Sequence, residues 1–367
     1  MLKPKIRIAI AGSSGVIGQR HLQHVLEEQD AVLAAIMLAI SDCDSNVPGV
    51  AKQLNVPFFK DTLDFIEAYK AGSLGADAII LATPTHTHVP LTKQLAGLGL
   101  AVLIEKPVAT SATEGRDLLR ACQDDEGGVY MVGHHRRHHG QVRAVKHAVD
   151  SGSLGTVVGV NGVWTWRKSE SYFQVPWRQR VGAGGVILTN AIHEIDMLQY
   201  WLGDISEVYA LEGVKTRPFP VDSTVQITLK FASGPIGSFF LSDATTSGTS
   251  WEAATGENPD FPVTGEPTLS LFGTRGSISI PSLTRFHYDN RPDAEKNWNF
   301  PLEMDDTARQ LLDTVPPFAR QLQHFIAATR REVEPNCSIS EALSAVFVVE
   351  AIFKSLESHS PVAVDRL

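Results

Sequence analysis

The amino-acid sequence predicts an α/β protein in which an N-terminal doubly wound parallel sheet precedes a C-terminal α+β region with a large open, mostly antiparallel sheet. Three observations predict this fold. Short apolar runs alternate with helical patterns over the first third of the chain, a glycine-rich turn follows the first run, and polar and apolar residues alternate in later segments. A chain of 367 residues is also longer than one hydrophobic core usually serves, so two domains are expected.

The first predicted domain, residues 1–133, is built from continuous apolar runs that have the length of buried strands. These runs lie at 6–11, 32–40, 78–82, 101–104 and 128–133. After the first run, Leu22, Val25 and Leu26 recur at helical spacing. Continuous apolar strands separated by helices are typical of a parallel sheet that is covered on both faces.

The second predicted domain, residues 134–367, has the pattern of an antiparallel sheet. Residues 224–231 alternate polar and apolar side chains, and Ser233-Gly234 then turns the chain into another strand, which predicts a hairpin. Further strands are predicted at 157–166, 208–214, 269–272 and 277–280. One face of this sheet is therefore expected to be open, and an open face of this size predicts a homodimer or homotetramer.

The remaining segments of this domain are a loop and two helices. Residues 243–267 are rich in Ser, Thr, Gly, Pro and Asn, which predicts a long loop. Helices are predicted at 318–329 and 341–356, and both are candidates for packing back on the first domain.

Composition narrows the classes of function. The net charge of −9 argues against a nucleic-acid surface, because such a surface needs a basic stripe. No segment reaches the roughly 20 apolar residues that a membrane-spanning helix requires. Cys43, Cys122 and Cys337 are odd in number and far apart, which is typical of reduced thiols. We therefore expect a cytoplasmic protein that binds neither nucleic acid nor membrane.

A glycine-rich loop follows the first predicted strand and precedes the first helix. It comprises Gly12, Ser13, Ser14, Gly15, Val16, Ile17 and Gly18. Glycines at such a turn let the backbone approach a pyrophosphate, and the helix N-terminus supplies N–H donors, so the loop is a candidate dinucleotide site. The spacing is G-x-x-G-x-x-G rather than the usual G-x-G-x-x-G, and a turn without a ligand is the alternative.

Asp42 follows the second predicted strand. An acidic side chain there would bind the adenosine ribose hydroxyls and repel a 2′-phosphate, which favours NAD over NADP. Asp44 is a competing candidate for this position, and a solvated turn is the alternative for both.

Lys106 stands directly after the strand at 101–104, within Glu105-Lys106-Pro107. Ligands of open α/β sheets bind at the carboxyl ends of the strands. A lysine there can hydrogen-bond a substrate oxygen, especially when its pKa is lowered by burial. An exposed loop lysine is the alternative interpretation for this residue taken alone.

Four motifs spread along the chain form a recurring pattern. They are the glycine loop at 12–18, the segment Ala82-Thr83-Pro84-Thr85-His86-Thr87-His88, Glu105-Lys106-Pro107, and the stretch from Gly184-Gly185-Val186 to His193-Glu194-Ile195-Asp196. The pattern resembles the glucose-fructose oxidoreductase, inositol dehydrogenase and MocA family over nearly the whole chain. This resemblance implies a Rossmann domain followed by an open sheet. It also implies hydride transfer between NAD(P) and a hydroxyl-bearing carbon of a sugar, inositol, polyol or sugar acid.

The resemblance also implies roles for individual residues. Lys106 matches the catalytic lysine of the family, and His193 matches its usual proton acceptor, for which an ordinary pKa near 6.5 is suited. Residues expected to line the cofactor are Ala82, Thr83, Pro84, His86, His88, Glu105 and Pro107.

One position departs from the family pattern. Many members carry an aspartate four residues before the histidine, where this chain has Thr189 followed by Asn190. A branch with Pro-Trp-Arg and Asn-x-Ile-His looks similar, and its asparagine is a candidate for the missing hydrogen bond. In that branch Trp177 and Arg178 are expected to contact the nicotinamide or the substrate.

The run His134-His135-Arg136-Arg137-His138-His139 has spacings that fit a helical metal site, but its two arginines and the lack of a nearby carboxylate argue against one. No metal is expected. Because the run follows the last parallel strand, His135 and Arg137 are expected to contact the substrate together with Thr189 and Asn190.

Four aromatic residues are predicted equally well to form a platform on which a sugar stacks or to pack in the sheet: Trp164, Trp166, Tyr172 and Phe173.

The function expected from these observations is that of an NAD(P)-dependent dehydrogenase or reductase with a carbohydrate substrate. The alternative is a cofactor-binding regulatory protein of the same family without turnover, which Thr189 leaves open. A hydrolase that transiently oxidises a sugar is a third reading.

Overall fold

A computed structural model of the protein describes residues 3–38 and 46–367. The chain divides into two compact units. Unit one contains the chain up to His135 together with Val315–Val346, and unit two contains Arg136–Thr314 and Phe347–Arg366. A segment near the C-terminus therefore belongs to the unit that the N-terminal residues build.

Unit one contains a six-stranded sheet in which every strand pair is parallel. Its strands are β1 (Ile6–Ala11), β2 (Ala31–Met37), β3 (Phe58–Phe59), β4 (Ala78–Leu81), β5 (Ala101–Glu105) and β6 (Tyr130–Gly133). Its helices are α1 (Val16–Glu27), α2 (Val47–Leu54), α3 (Thr62–Lys70), α4 (His88–Leu95) and α5 (Ala112–Gln123). The spatial order β3-β2-β1-β4-β5-β6 reverses between β1 and β4, and such a reversal opens a crevice at the carboxyl ends of the strands.

The prediction of a doubly wound parallel sheet is confirmed, with one addition. The edge strand β3 is only two residues long, too short to produce an apolar run in the sequence. The second strand ends at Met37, and the last two residues of its predicted run lie outside the described residues.

The core of unit one includes a helix from the C-terminal part of the chain. Helix α9 (Pro317–Thr329) contributes Leu322, Phe325 and Ile326 to the apolar cluster that contains Ile8 and Ile10 of β1. At the sheet edge, the N–H of Val132 in β6 donates to the carbonyl oxygen of Cys337 at 2.9 Å. Burial of these apolar side chains stabilises unit one and explains why Val315–Val346 belongs to it.

Unit two contains a nine-stranded sheet that is antiparallel except where β7 pairs with β10. Its strands are β7 (Val157–Thr165), β8 (Ile205–Glu212), β9 (Thr224–Phe231), β10 (Ile236–Ser242), β11 (Leu269–Gly273), β12 (Gly276–Ile280), β13 (Arg285–His287), β14 (Glu303–Asp305) and β15 (Val362–Ala363). Its helices are α6 (Gly140–Asp150), α7 (Ile192–Leu202) and α8 (Trp251–Thr255), and α10 (Ile339–Ser358) begins in unit one and ends here. The strand order is β14-β13-β12-β11-β7-β10-β9-β8-β15, which confirms the predicted open, mostly antiparallel sheet.

The two faces of this sheet have different chemistry. Alternate residues of β9, including Val225 and Leu229, are buried, and the side chain of Ser355 in α10 accepts a hydrogen bond from the N–H of Ala210 in β8. On the opposite face, paired residues of neighbouring strands form an accessible row of Tyr209, Thr228, Ser238, Asn161 and Ser270. Helices therefore cover one face, and the other carries both polar residues and exposed apolar residues such as Leu211, Ile236 and Phe272.

The stretch 243–267, predicted to be a loop, contains the short helix α8. Ser250 caps this helix by accepting a hydrogen bond from the N–H of Ala253, and Trp251 is completely buried. Residues 3–38 and 46–367 include no helix that is both long and apolar enough to cross a membrane.

The position of α9 in the core of unit one can be tested with a matched pair of leucine variants. Leu322→Ala removes a side chain that is 2% exposed, and Leu63→Ala removes one on α3 that is 55% exposed. We expect Leu322→Ala to lower the free energy of unfolding by about 2–5 kcal/mol, because it leaves a cavity. Leu63→Ala should change it by less than about 0.5 kcal/mol. Urea denaturation measures both values, and equal effects would show that α9 does not belong to this core.

Candidate functional site

The glycine loop of unit one connects β1 to α1 through close backbone contacts. Gly12 has a φ of +85°, and a Cβ there would stand 2.4 Å from the carbonyl oxygen of Ala82. A Cβ on Gly18 would stand 2.0 Å from the carbonyl oxygen of Gly12. These two glycines are thus required for the loop to pack against the end of β4 and for α1 to pack on the loop.

The middle of the loop is open. Gly15 is the N-cap of α1, has a φ of −71°, and a Cβ there would meet only the carbonyl oxygen of Gly12, at 3.5 Å. A glycine supplies no capping side chain for the first N–H groups of the helix, and the next residue, Val16, is 75% exposed. The positive end of the helix dipole and its N–H groups therefore form a cradle that fits an anionic pyrophosphate.

The other loop residues have structural contacts. Ser13 is buried and its hydroxyl donates to the carbonyl oxygen of Met37 at 3.1 Å, which ties the loop to β2. The carbonyl oxygen of Ser14 accepts from the amide of Gln19 at 3.0 Å, and Ile17 is half-buried. Asp42 lies outside the described residues, so its ribose contact stays a prediction.

The segment from Ala82 to His88 follows β4. Pro84 precedes a 3-10 turn whose N–H at Thr87 donates to the Pro84 carbonyl oxygen at 2.9 Å. The hydroxyls of Thr83 and Thr87 are 2.6 Å apart. Half-buried Ala82 and exposed His86 complete the segment. The segment is therefore a rigid turn at the carboxyl edge of the sheet.

His88 joins the ends of β4 and β5. Its Nδ1 lies 2.8 Å from the carbonyl oxygen of Pro107, and its Nε2 lies 2.8 Å from the carbonyl oxygen of Thr83. Burial lowers the pKa of His88, and the two carbonyl contacts offset part of this decrease. The ring thus holds the two loops that were expected to line the cofactor at a fixed separation.

Glu105 holds the backbone next to Lys106. Its Oε1 lies 2.8 Å from Nε2 of His21 in α1, and its Oε2 accepts a hydrogen bond from the N–H of Lys106 at 3.2 Å. Burial alone would raise the pKa of Glu105, but the contacts with His21 and the nearby positive groups lower it. Glu105 is therefore an ionised anchor inside unit one, and the half-buried Lys106 follows it at the end of β5.

In unit two, the segment leading to His193 starts at a tight glycine pair. A Cβ on Gly184 would stand 2.1 Å from the carbonyl oxygen of Arg178, and Gly185 has a φ of +97°. The N–H of Ile187 donates to the carboxylate of Asp222 at 2.8 Å. Burial raises the pKa of Asp222 to about 6. These contacts fix the first turn of the segment.

The helical segment that leads to His193 is not a regular α-helix. Residues Ile187–Ala191 form a π-helix, which continues directly into α7. Thr189 and Asn190 lie in this wider turn, and the buried His193 is the second residue of α7. Single π-turns are rare and occur frequently at functional sites.

Thr189 and Asn190 bind a residue that the sequence analysis did not identify. Nζ of Lys168 donates to Oδ1 of Asn190 at 2.7 Å and to Oγ1 of Thr189 at 3.0 Å, and it lies 3.4 Å from a carboxylate oxygen of Asp243. Lys168 lies just beyond β7, where its N–H donates to the carbonyl oxygen of Asp243. No motif marks this lysine, because its partners are distant in sequence.

Trp177 and Arg178 lie on a 3-10 turn of unit two. Trp177 is 40% exposed. Nη1 of Arg178 donates to the carbonyl oxygen of Tyr172 at 2.9 Å, and its guanidinium lies 4.0 Å from the centre of the Tyr172 ring. Both residues remain accessible for a ligand.

Two expected substrate contacts have other partners. Arg137 is 2% exposed and forms a bidentate ion pair with Asp196, at 2.7 Å for the shorter contact, and its contact with substrate stays a prediction. The ring of His135 stacks on Phe318 at 4.3 Å within unit one, and its contact with substrate stays a prediction.

The histidine run itself is not a regular α-helix. Residues His135–His138 form a 3-10 turn, so the spacing of helical metal ligands does not apply to them. His139 caps α6, because its Nδ1 accepts the N–H of Gln141 at 3.2 Å.

A buried charge cluster adjoins His193 along α7. Arg136 pairs with Glu194 at 2.6 Å, with Glu252 at 2.7 Å and with Glu257 at 3.2 Å. Burial raises the pKa of Glu194 to about 7 despite Arg136, because the other two carboxylates add like charge. The cluster links α7 to the segment that contains α8, and the sequence analysis missed it for lack of any local pattern.

Comparison with known proteins matches both halves of the chain to one family, GFO_IDH_MocA. Residues 6–134 match the model described as "Oxidoreductase family, NAD-binding Rossmann fold", and residues 146–364 match "Oxidoreductase family, C-terminal alpha/beta domain". Inositol 2-dehydrogenase from Rhizobium meliloti is 26% identical over 98% of this chain and 99% of its own length. The scyllo-inositol 2-dehydrogenase (NAD(+)) from Bacillus subtilis is 24% identical, with 99% and 98% covered.

Solved structures share the fold of this chain. The WlbA dehydrogenase from Bordetella pertussis, solved with NADH and UDP-GlcNAcA, has a TM-score of 0.73 at 21% identity, with 98% of this chain and 99% of that chain covered. A putative myo-inositol dehydrogenase from Sinorhizobium meliloti has a TM-score of 0.71 at 22% identity, with 98% and 100% covered. Likeness at this level of identity shows the fold alone.

The shifted pKa of Glu194 leads to a pH-dependent contribution to stability. The folded state binds a proton at Glu194 up to about pH 7, whereas the unfolded chain releases it near the ordinary value of 4.5. Stability is therefore full below this lower value and decreases as pH rises through 7. We expect Glu194→Gln to remove a decrease on the order of 2 kcal/mol between pH 5 and 8.

Urea denaturation of the protein at several pH values measures how its free energy of unfolding depends on pH. Glu207→Gln, at an exposed position of β8, is the matched control and should keep the pH dependence of the wild type. A Glu194→Gln protein with an unchanged pH dependence would contradict the assignment.

Proposed function

Because the chain belongs to the GFO_IDH_MocA family of oxidoreductases, we propose that it transfers a hydride between NAD and a hydroxyl-bearing carbon of a polyol, sugar or sugar acid. The resemblance identified from the four motifs is confirmed, and the chain is an NAD-dependent oxidoreductase that acts on CH–OH groups. Its substrate is proposed to be a small carbohydrate, as in the inositol dehydrogenases that it resembles. One observation carries the proposal: Lys106 follows a fully buried strand at the sheet edge that also holds the glycine cradle.

The cradle fits the cofactor. The open Gly15 and the uncapped start of α1 present N–H donors to a pyrophosphate, while Gly12 and Gly18 allow the close packing behind it. We propose that Asp42 binds the ribose hydroxyls and that NAD is used in preference to NADP. Ala82, Thr83, Pro84, His86 and Pro107 are proposed to line the same cofactor, with His88 and Glu105 holding these loops in place.

When bound, NAD supplies the nicotinamide carbon that accepts or donates the hydride. The residues of the chain align the substrate and move its proton. We propose that the Lys106 ammonium hydrogen-bonds the reacting oxygen and stabilises the negative charge that develops there. We propose that His193 accepts the hydroxyl proton in the oxidising direction. Trp177, Arg178, Thr189, Asn190 and His135 are proposed to contact the nicotinamide or the substrate.

Assembly and location are also proposals. The accessible face of the nine-stranded sheet supports a homodimer or homotetramer in which a second copy covers it. Cys122 and Cys337 are buried thiols outside any disulfide, which supports a reducing compartment such as the cytoplasm.

The catalytic roles are tested by NADH formation on a panel of inositols, aldoses and sugar acids. Lys106→Met and His193→Ala should each lower kcat/KM by about 10²–10⁴-fold, because each removes a positioned proton-transfer or charge-stabilising group. Lys93→Ala and His147→Ala, at exposed positions of α4 and α6, are the matched controls. Activity that survives both site substitutions would contradict the mechanism. Tight NAD binding without turnover on any compound would instead favour a regulatory protein, the alternative that Thr189 leaves open.

The cofactor cradle is tested by Gly15→Ala. The added Cβ has space and a permitted φ, so the variant should unfold at the temperature of the wild type within about 2 °C. Its affinity for NAD should fall at least tenfold, because the methyl group stands where the pyrophosphate approaches the loop. Calorimetric titration with NAD measures the affinity, and an unchanged value would show that the loop is only a turn.

A further inference from the structure

Lys168 contacts Thr189 and Asn190, two residues of the π-turn before His193. Its side chain is 13% exposed, and its ammonium group donates to Asn190 and Thr189 and forms an ion pair with Asp243. A partly buried ammonium with three partners has a fixed position. The π-turn before His193 is thus bound to a cation.

The contact with Lys168 determines how Asn190 is oriented. Oδ1 of Asn190 accepts from Lys168 at 2.7 Å, and the hydroxyl of Thr189 lies 2.8 Å from the same oxygen. The amide oxygen therefore faces these donors, and Nδ2 points away from them. Within residues 3–38 and 46–367, Nδ2 makes no hydrogen bond, so this half-buried asparagine offers N–H donors to a ligand.

Positive charge is in excess around this position. Asp243 pairs with Arg217 at 2.5 Å in addition to Lys168, so two cations share one carboxylate. The ring of Tyr172 has Lys168 on it at 4.7 Å and Arg178 at 4.0 Å. No carboxylate pairs with Arg178 in the described parts of the chain, and its Nε is buried without a hydrogen-bond partner.

Three cations, Lys168, Arg178 and Arg217, stand against two carboxylates, Asp243 and the neighbouring Asp222, which leaves an excess of one positive charge in a chain whose net charge is −9. Placing like charges together in a partly buried region is unfavourable unless an anion binds there. The hydroxyl oxygens of a neutral polyol can accept hydrogen bonds from these donors, but a neutral polyol would leave the charge excess in place.

We infer that the substrate carries an oxyanion, a carboxylate or a phosphate, close to the carbon that reacts. This inference rests on the proposed function and deepens it. Nδ2 of Asn190 and the guanidinium of Arg178 bind the oxyanion, and Lys168 with Arg217 attracts it. Lys168 acts as a positioning residue, because it reaches the substrate through Asn190. The oxyanion lies near the reacting carbon because Asn190 is three residues before the proposed base, His193, on one continuous helical segment.

The experiment compares kcat/KM for glucose, glucuronate and glucose 6-phosphate, with gluconate and myo-inositol added to the panel. We expect an acid or a phosphate to exceed its neutral counterpart at least tenfold, mainly through KM, and the preference to decrease with added salt. The carboxylate and phosphate arms identify which oxyanion is bound.

Lys168→Met tests the positioning role, with Lys230→Met at an exposed position of β9 as the matched control. Lys168→Met should raise KM for the anionic substrate at least tenfold more than it raises KM for the neutral counterpart. Lys230→Met should change neither. A purely structural role for Lys168 would affect both substrates equally, and that result would overturn the inference.

Thr189→Asp is expected to change the preference between anionic and neutral substrates, and loss of folding cannot produce such a change. A carboxylate at this position faces Nζ of Lys168 and cancels part of the charge excess. We expect the ratio of kcat/KM for the anionic substrate to kcat/KM for its neutral counterpart to fall at least tenfold, whatever the change in kcat/KM for the neutral compounds. An unchanged preference would overturn the inference.

The two proposals fail in different ways. If myo-inositol or glucose is preferred over the anionic compounds, the inference is wrong and the dehydrogenase function stands. If no compound in the panel reduces NAD, the proposed function fails, and the subsite is tested by calorimetric titration of the NAD complex with gluconate and with inorganic phosphate. Binding of either probe that is lost in Lys168→Met supports the subsite, and lack of binding to the wild type overturns it.

Discussion

The buried carboxylate of Glu105 connects the two features of unit one on which cofactor binding depends. It bonds to His21 of α1, the helix that starts at the glycine loop, and to the N–H of Lys106 at the end of β5. A buried carboxylate destabilises the fold unless its oxygens accept hydrogen bonds, so the loss of either partner would leave Glu105 with an unsatisfied buried charge. The position of the cradle relative to the lysine is therefore set by one side chain, and His88 adds a second connection at Pro107.

In unit two, the segment that carries the proposed base His193 is held in place by several charged groups instead of one. Glu194 pairs with Arg136 beside His193, Asp222 holds the start of the π-turn, and Lys168 binds Thr189 and Asn190 within it. Each contact comes from a different part of the chain. The segment that carries the proposed base is thus held by polar groups along its length, which suits a site that must keep donors and acceptors in fixed directions.

The sequence allowed the fold and family to be predicted because those features have local signatures. Apolar runs identified β1, β4 and β5, strict alternation identified β9, and the glycine loop and Lys106 follow directly from strand ends. The fold, the family and the use of NAD are confirmed. The roles of individual residues, including Lys106 and His193, stay proposals.

Contacts between residues distant in sequence were not predictable in the same way. The ion pair between Arg137 and Asp196 was not predicted, because the position of Asp196 relative to Arg137 is set only by the folded chain. Lys168 carries no motif, and its importance is visible only in the distances to Asn190 and Asp243.

The return of Val315–Val346 to unit one has a consequence for synthesis on the ribosome. Residues up to His135 leave the ribosome long before α9, yet Leu322, Phe325 and Ile326 belong to the same core as Ile8 and Ile10. While Arg136–Thr314 is translated, the apolar residues of the nascent N-terminal sheet that α9 later covers consequently remain exposed. The Rossmann domain of this protein is completed last, although it begins first, and a fragment that stops at residue 135 lacks part of its own interior.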